Sequence, residues 1–129
     1  MAKPIPTACP CQSGQSYSAC CQPYHQGKAA PTAEALMRSR YSAYTLQLED
    51  YLLETWHPDT RPSTLNLAND TSTKWLGLQV SRTEMPSENM ATVEFTARFK
   101  VNGKAERMHE VSRFVHIEGR WYYLDGDVS

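Results

Sequence analysis

All four cysteines of the chain lie between positions 9 and 21, as Cys9, Cys11, Cys20 and Cys21 in the run CPCQSGQSYSACC. Three chemistries compete for such a cluster. Disulfides come first: neighbouring Cα atoms sit about 3.8 Å apart, whereas a disulfide prefers about 4.4–6.8 Å. A Cys20–Cys21 bond is therefore strained and a Cys9–Cys11 bond makes a cramped ring, while a reducing compartment disfavours pairing across the loop. A redox-active thiol pair is the second, and its usual C-x-x-C spacing is absent. The third is a metal. Four thiolates at the two ends of a tight loop suit a tetrahedral Zn²⁺, which favours sulfur. Gly14 can supply a positive φ inside the loop, and Ser13 can hydrogen-bond backbone or a ligand sulfur.

Structural zinc contributes about 10–16 kcal/mol apparent at neutral pH, against about 5–15 kcal/mol for the stability of a whole domain. A short segment without its own core can fold on that term. Four cysteines also close the coordination shell, which marks a structural rather than a catalytic metal. His25, four residues after Cys21, is the alternative fourth ligand. With four thiols already present it is placed behind the ligands instead.

The remaining composition excludes several classes. The chain of 129 residues has 13 basic and 14 acidic side chains, a net charge of -1 and a pI of about 6.4. A polyanion-binding protein needs a basic excess, and the first 31 residues hold only Lys3 and Lys28, so nucleic acid is not the expected partner. No apolar run reaches the roughly 20 residues of a membrane span. Met1–Thr7 has no signal-peptide core, so the expected localisation is cytoplasmic. The length suits one domain with a small appendage. The boundary falls at Gly27-Lys28-Ala29-Ala30-Pro31, dividing a knuckle at 1–28 from a domain at 29–129.

Within that domain the apolar period changes from 3.6 to 2. Thr32 is a candidate N-cap ahead of a helix with Ala33, Met37, Tyr41, Tyr44 and Leu48 on one stripe. Arg40 falls about 60° from the centre of that stripe. A second short helix begins at Glu49-Asp50 and ends at His57-Pro58, and residues 59–73 form a loop or a single helical turn. Leu76, Leu78 and Val80 then alternate, as do Val93, Phe95, Ala97, Phe99 and Val101. Asn102-Gly103 is a type I′ hairpin signal, and Glu118-Gly119 marks another turn. Helices followed by a meander predict an α+β fold, with helices packed on a curved antiparallel sheet.

On the strand over 108–117, Met108, Glu110, Ser112, Phe114 and His116 share one face. Polar residues on a central strand's inner face point to a concave cavity. Its expected lining is Arg40, Tyr44, Trp56, His57, Glu110 and Ser112. In an enzyme, Glu110 or His57 is the candidate general base. The competing reading is an internal Arg40–Glu110 pair that only fixes helix to sheet. No phosphate loop, Ser-His-Asp order or H-E-x-x-H appears, which weighs against an enzyme.

The run Cys-Pro-Cys-x-Ser-Gly-x-x-Tyr-x-x-Cys-Cys resembles the SEC-C zinc motif, known from the tail of the SecA translocase motor. With Ala35–Tyr44, Thr55-Trp56-His57-Pro58 and Gly119–Gly126, nearly the whole chain resembles the YchJ-like family of uncharacterised bacterial proteins. The resemblance implies a SEC-C knuckle joined to a nuclear transport factor 2-like, cystatin-like cone, and it implies no particular activity. The chain has Gln12 where the motif usually has Gly, and Gln15, Ser16 and Ser18 where the SecA loop carries lysines. SecA's tail contacts the SecB chaperone and lipid through that basic surface. The expectation is therefore a Zn²⁺-binding protein whose knuckle engages another protein. The alternative is a small-molecule-binding protein or enzyme using the cone cavity. Metal loss is expected to disorder about residues 8–25 and to leave the α+β domain folded.

Overall fold

The computed structural model describes residues 8–70 and 72–128. The N-terminal stretch read above for a signal peptide, Met1–Thr7, lies outside them. A small loop closed by a bridge between Ala8 and Ser16 leads into a 3₁₀ turn, Tyr17–Ala19, and a one-turn helix α1, Gln22–His25. Helices α2 (Ala33–Leu46) and α3 (Glu49–Glu54) follow. The rest is a four-stranded antiparallel meander in the order β1 (Thr73–Ser87), β2 (Met90–Val101), β3 (Lys104–Ile117), β4 (Arg120–Val128). This is the α+β arrangement expected from the change of period. No helix among the described residues is long and apolar enough to cross a membrane.

Thr32 caps α2 as its sequence position predicts, its Oγ1 accepting from Ala35 N at 3.0 Å. Leu48, counted above as the last residue of the stripe, lies beyond the helix, which ends with Gln47 in the left-handed conformation. The burial of α2 is wider than one stripe. Leu36, Met37 and Tyr41 face the sheet side of the core, yet Ser39, Ser42 and Ala43 are also fully covered. Small residues on that second face let other chain segments approach closely.

Both predicted turns form. Asn102 and Gly103 have φ of 52° and 82°, and Val101 pairs with Lys104, the geometry of a two-residue I′ hairpin. Glu118 and Gly119 repeat it at φ 49° and 83°. Irregularities in the β1–β2 pairing lie at Trp75/Gly77, Val80/Arg82 and Glu84/Ser87, and one more lies opposite Arg113/Phe114. Such bulges bend and twist a sheet, which gives this one its concave face.

The first bulge overturns one expectation. The alternation puts Leu76 on the same face as Leu78, but Leu76 is 43% exposed. The irregularity resets the alternation, so Trp75 turns inward in its place.

The segment over 59–70 contains a single turn, Leu67–Asn69, as the sequence allows. Its order comes from α3: Glu49 accepts from Leu65 N at 3.2 Å, Leu67 N at 2.9 Å and Thr64 Oγ1 at 2.9 Å. These bonds, the Leu67 amide first, hold the Glu49 carboxyl below its ordinary value. The stabilisation is therefore complete above the ordinary carboxylate range and fades as pH falls through the lowered value. Glu49→Gln is expected to raise amide exchange of Leu65 and Leu67 at neutral pH. Hydrogen exchange at acid pH should show wild type and variant converging.

Candidate metal centre

The knuckle is built from local geometry. Cys9 N donates to Gln15 O at 3.0 Å and Gln12 N to Cys9 O at 3.1 Å, which folds the loop back on itself. Gly14 takes φ 89°, as its type predicts, and Gln12 takes φ 62° where the motif usually has Gly. The Gln12 side chain offsets that strain with a long-range contact, Nε2 donating to Leu76 O at 3.0 Å. Ser13 Oγ lies 3.1 Å from Cys20 Sγ, the ligand contact read from the sequence.

The four thiols converge. All four Sγ atoms lie within 4.8 Å of one another, with Cys11 and Cys20 3.6 Å apart and Cys20 and Cys21 3.9 Å apart. A tetrahedron with metal–sulfur bonds of about 2.3 Å has edges of about 3.8 Å. All four cysteines are free, and only Cys20 is partly exposed. With protons alone the cluster shares its charge unevenly. Hydrogen bonds from Cys11 and then Cys21 pull the Cys9 thiol far down, while those of Cys21 to Cys11 and then Cys9 push the Cys21 thiol far up. Burial pushes Cys20 up to about 11. A divalent cation removes this conflict by neutralising thiolates that otherwise repel one another. The donor set thus fits a metal, with Cys9, Cys11, Cys20 and Cys21 as the holders.

The knuckle leans on α2. Ser42 Oγ donates to Cys21 Sγ at 3.3 Å and lies 3.5 Å from Cys9 Sγ. Arg38 Nη1 donates to Cys11 O at 3.0 Å while its Nε holds Glu34 at 3.0 Å. Cys9, Cys11, Tyr17 and Cys21 belong to the same apolar cluster as Leu36, Met37, Tyr41 and Leu78. Ser42 and Arg38 were not among the metal-site residues expected from sequence. The available signal was small: a Ser39, Ser42, Ala43 face on a helix whose other face is apolar.

Ser42→Ala should keep the fold, because it removes one oxygen from a closely packed position. By loosening two ligands it is expected to lower zinc affinity by about 10–100-fold, measured by chelator competition. An unchanged affinity would reduce Ser42 to a spacer.

His25 is outside the sulfur cluster. Its Nε2 lies 2.8 Å from Ser39 O, and a carbonyl only accepts, so Nε2 carries the proton. Nδ1 then accepts from Tyr17 OH at 2.6 Å. The ring also meets Tyr51 edge-on, with centroids 4.7 Å apart. Burial lowers its pKa, so the ring is neutral. It joins the turn before Cys20 to α2, with both ring nitrogens taken by protein partners.

On the concave face of the sheet lies a separate cavity of about 270 Å³, lined by Arg40, Tyr44, Trp56, Glu110 and Ser112 as expected, with Tyr123 and several apolar side chains. His57 does not line it. Its backbone N donates to Tyr123 O at 2.8 Å, and its ring accepts from Asp59 N at 3.0 Å, so pairing with β4 holds it away from the cavity. The expected Arg40–Glu110 pair is also absent among the described residues. Arg40 Nη1 donates instead to Leu52 O at 2.7 Å and Thr55 Oγ1 at 2.6 Å. Its guanidinium lies 5.0 Å from the Trp56 ring and 4.7 Å from the Tyr123 ring. Glu110 Oε2 accepts from Ser112 Oγ and, at 3.2 Å, from Tyr123 OH. Gly126 makes room for this carboxylate, since a Cβ there would collide with Glu110 Oε2.

Residues 7–23 match the profile of the SEC-C motif, and residues 32–126 match that of the YchJ middle NTF2-like domain. A UPF0225 protein of Chromobacterium violaceum is 59% identical over 127 residues, covering 95% of this chain and 93% of its own. One from Bordetella parapertussis is 54% identical over 126 residues, covering 95% and 94%. The solution structure of a SEC-C motif protein from Rhodopseudomonas palustris superposes with a TM-score of 0.83 at 39% identity, covering 92% of this chain and 96% of that one. A SEC-C protein from Psychrobacter arcticus, solved by crystallography, gives 0.79 at 36% identity, covering 94% and 82%. Matches of this length and identity, carrying the four-cysteine knuckle and the sheet-backed helices together, place the chain in the UPF0225 family, with a SEC-C motif ahead of a YchJ-type NTF2-like domain.

Proposed function

We propose that this protein binds one structural Zn²⁺ through Cys9, Cys11, Cys20 and Cys21, and that the metal-folded knuckle presents a surface to a partner protein. The convergence of four thiols within 4.8 Å carries the metal reading. A set of four sulfurs at tetrahedral spacing favours zinc over hard cations that take oxygen ligands. When bound, the ion supplies a closed cross-link between the loop and the start of α1, and four thiolates leave no position open for a reacting water.

The interaction surface is the outer side of the same loop. Gln12, Ser13, Gly14, Gln15, Ser16, Ser18 and Ala19 are exposed, polar or small, and uncharged. Such a face supports recognition by hydrogen bonds and shape, not the salt-dependent binding of a basic loop. The zinc beneath it would hold those groups in one arrangement and so reduce the ordering cost of association.

Elemental analysis of reduced, purified protein should give close to one zinc per chain; none would end the metal reading. The partner reading is tested with Gln15→Arg/Ser18→Arg, which alters the outer face and leaves every ligand in place. Cross-linking of the full zinc-loaded chain should lose its specific partner in this variant. An unchanged set of cross-linked proteins would refute a role for this face.

A further inference from the structure

The cavity under α2 has an unusual balance of polar groups. Arg40 is 6% exposed and spends only Nη1 on protein acceptors; its Nε and Nη2 make no hydrogen bond among the described residues. Trp56 Nε1 is buried without an acceptor. Tyr44, one turn from Arg40 on the same helix, has no hydrogen bond from its hydroxyl among the described residues. Opposite these donors, Glu110 is 8% exposed and has both of its hydroxyl partners on Oε2, which leaves Oε1 free. A buried cation and a buried carboxylate therefore line one cavity without pairing with each other, each with hydrogen-bonding capacity that the protein does not use.

The polar groups lie together. The Arg40 guanidinium touches the rings of both Trp56 and Tyr123, and the Tyr123 hydroxyl reaches Glu110. The rest of the lining, including Met37, Phe95 and Met108, is apolar. A complementary molecule needs an anionic acceptor for Arg40 and Trp56, a cationic donor for Glu110 next to it, and an apolar remainder. It must be neutral overall, since the two protein charges cancel, and small, since about 270 Å³ is below the usual range for drug-sized ligands. Tyr44 and Trp75 also line a neighbouring groove.

We propose that this cavity is a binding site for a small zwitterionic α-amino acid with an apolar side chain, its carboxylate on Arg40 and Trp56 and its ammonium on Glu110. Such a ligand gives each unpaired group a charge-assisted partner and fills the apolar end with its side chain. The site takes no part in metal binding, so it stands or falls separately from the zinc reading.

The test uses the full zinc-loaded chain, ¹⁵N-labelled, titrated with L-leucine. The chain has three tryptophans, so three indole N–H resonances are expected, and Trp56→Phe assigns the relevant one. Leucine should shift it saturably as Nε1 gains an acceptor. Two comparison probes remove one charge each: 4-methylpentanoate lacks the ammonium, and leucinamide lacks the carboxylate. Both should bind at least about tenfold more weakly than leucine. Glu110→Gln should weaken leucine by a similar factor and change 4-methylpentanoate little. Should that variant fail to fold, the comparison of probes on the wild-type chain decides alone. No shift of the Trp56 indole at about 10 mM leucine, a range that detects even millimolar affinity, overturns the proposal and leaves a water-filled cavity. Equal binding of 4-methylpentanoate or leucinamide overturns the zwitterion and its assignment to these two charges.

Discussion

Chelating the metal from the folded chain will lower the melting temperature of the entire molecule in one cooperative step. The sequence reading anticipates a local effect, with residues 8–25 lost and the α+β domain intact. The packing alters that expectation. Cys9, Cys11, Tyr17 and Cys21 are buried in one cluster with Leu36, Met37, Tyr41 and Leu78. Ser42, fully covered on α2, has two of the sulfurs as its hydrogen-bond partners. Losing the knuckle therefore uncovers an apolar side of α2 and strands a buried hydroxyl. Structural zinc contributes about 10–16 kcal/mol apparent, of the same order as the stability of a domain. Even a fraction of it transmitted through this contact destabilises α2. Circular dichroism with added chelator should show the single shifted transition, and hydrogen exchange should show α2 amides losing protection with the knuckle. Protection of α2 unchanged after verified metal loss would show that the knuckle folds as an independent appendage.

The second large effect is expected at His25. Replacement by Ala leaves Tyr17 OH and the Ser39 carbonyl without their partner and removes the ring packed on Tyr51. One stranded hydroxyl, a Ser39 carbonyl left with its helical bond alone and a lost aromatic contact correspond to about 2–4 kcal/mol, read as the shift in urea midpoint. His25→Phe separates the causes by keeping the ring and losing both hydrogen bonds.

The pH dependence gives an independent check. Burial lowers the His25 pKa below 6.5, so the neutral ring's contribution is complete above that value and is lost as pH falls through the lowered one. Tyr17 and Tyr51 are both pushed upward, chiefly by burial, and stay neutral throughout that range. The difference between wild type and His25→Phe should therefore shrink on acidification. Metal loss at low pH affects both proteins and cancels in the comparison. A constant difference would mean that His25 acts by packing alone.

Much of this architecture was legible in residue spacing. The four cysteines sit in one short run, where loop geometry alone limits the distances between them. The Thr32 cap, the two I′ turns and the strand from Val93 to Val101 are likewise local, and each forms where its residues place it. Five of the six expected cavity residues meet around the cavity because helix and strand periodicity states which side chains share a face. The errors arose where periodicity is interrupted. A bulge at Trp75/Gly77 moved Leu76 outward, and pairing of Trp56 with Tyr123 turned His57 away from the cavity.

What the chain's order of residues determined by itself is the convergence of four thiols, the change from helix to meander and the polar inner face of β3. Each depends on atoms a few positions apart, where bond geometry allows few arrangements. Only the tertiary structure decided that the knuckle docks on α2, that Ser42 and His25 join the two, and that Arg40 and Glu110 share a cavity without touching. Those outcomes depend on contacts between residues tens of positions apart, and such distances are set by the packing of whole elements, which local spacing does not encode.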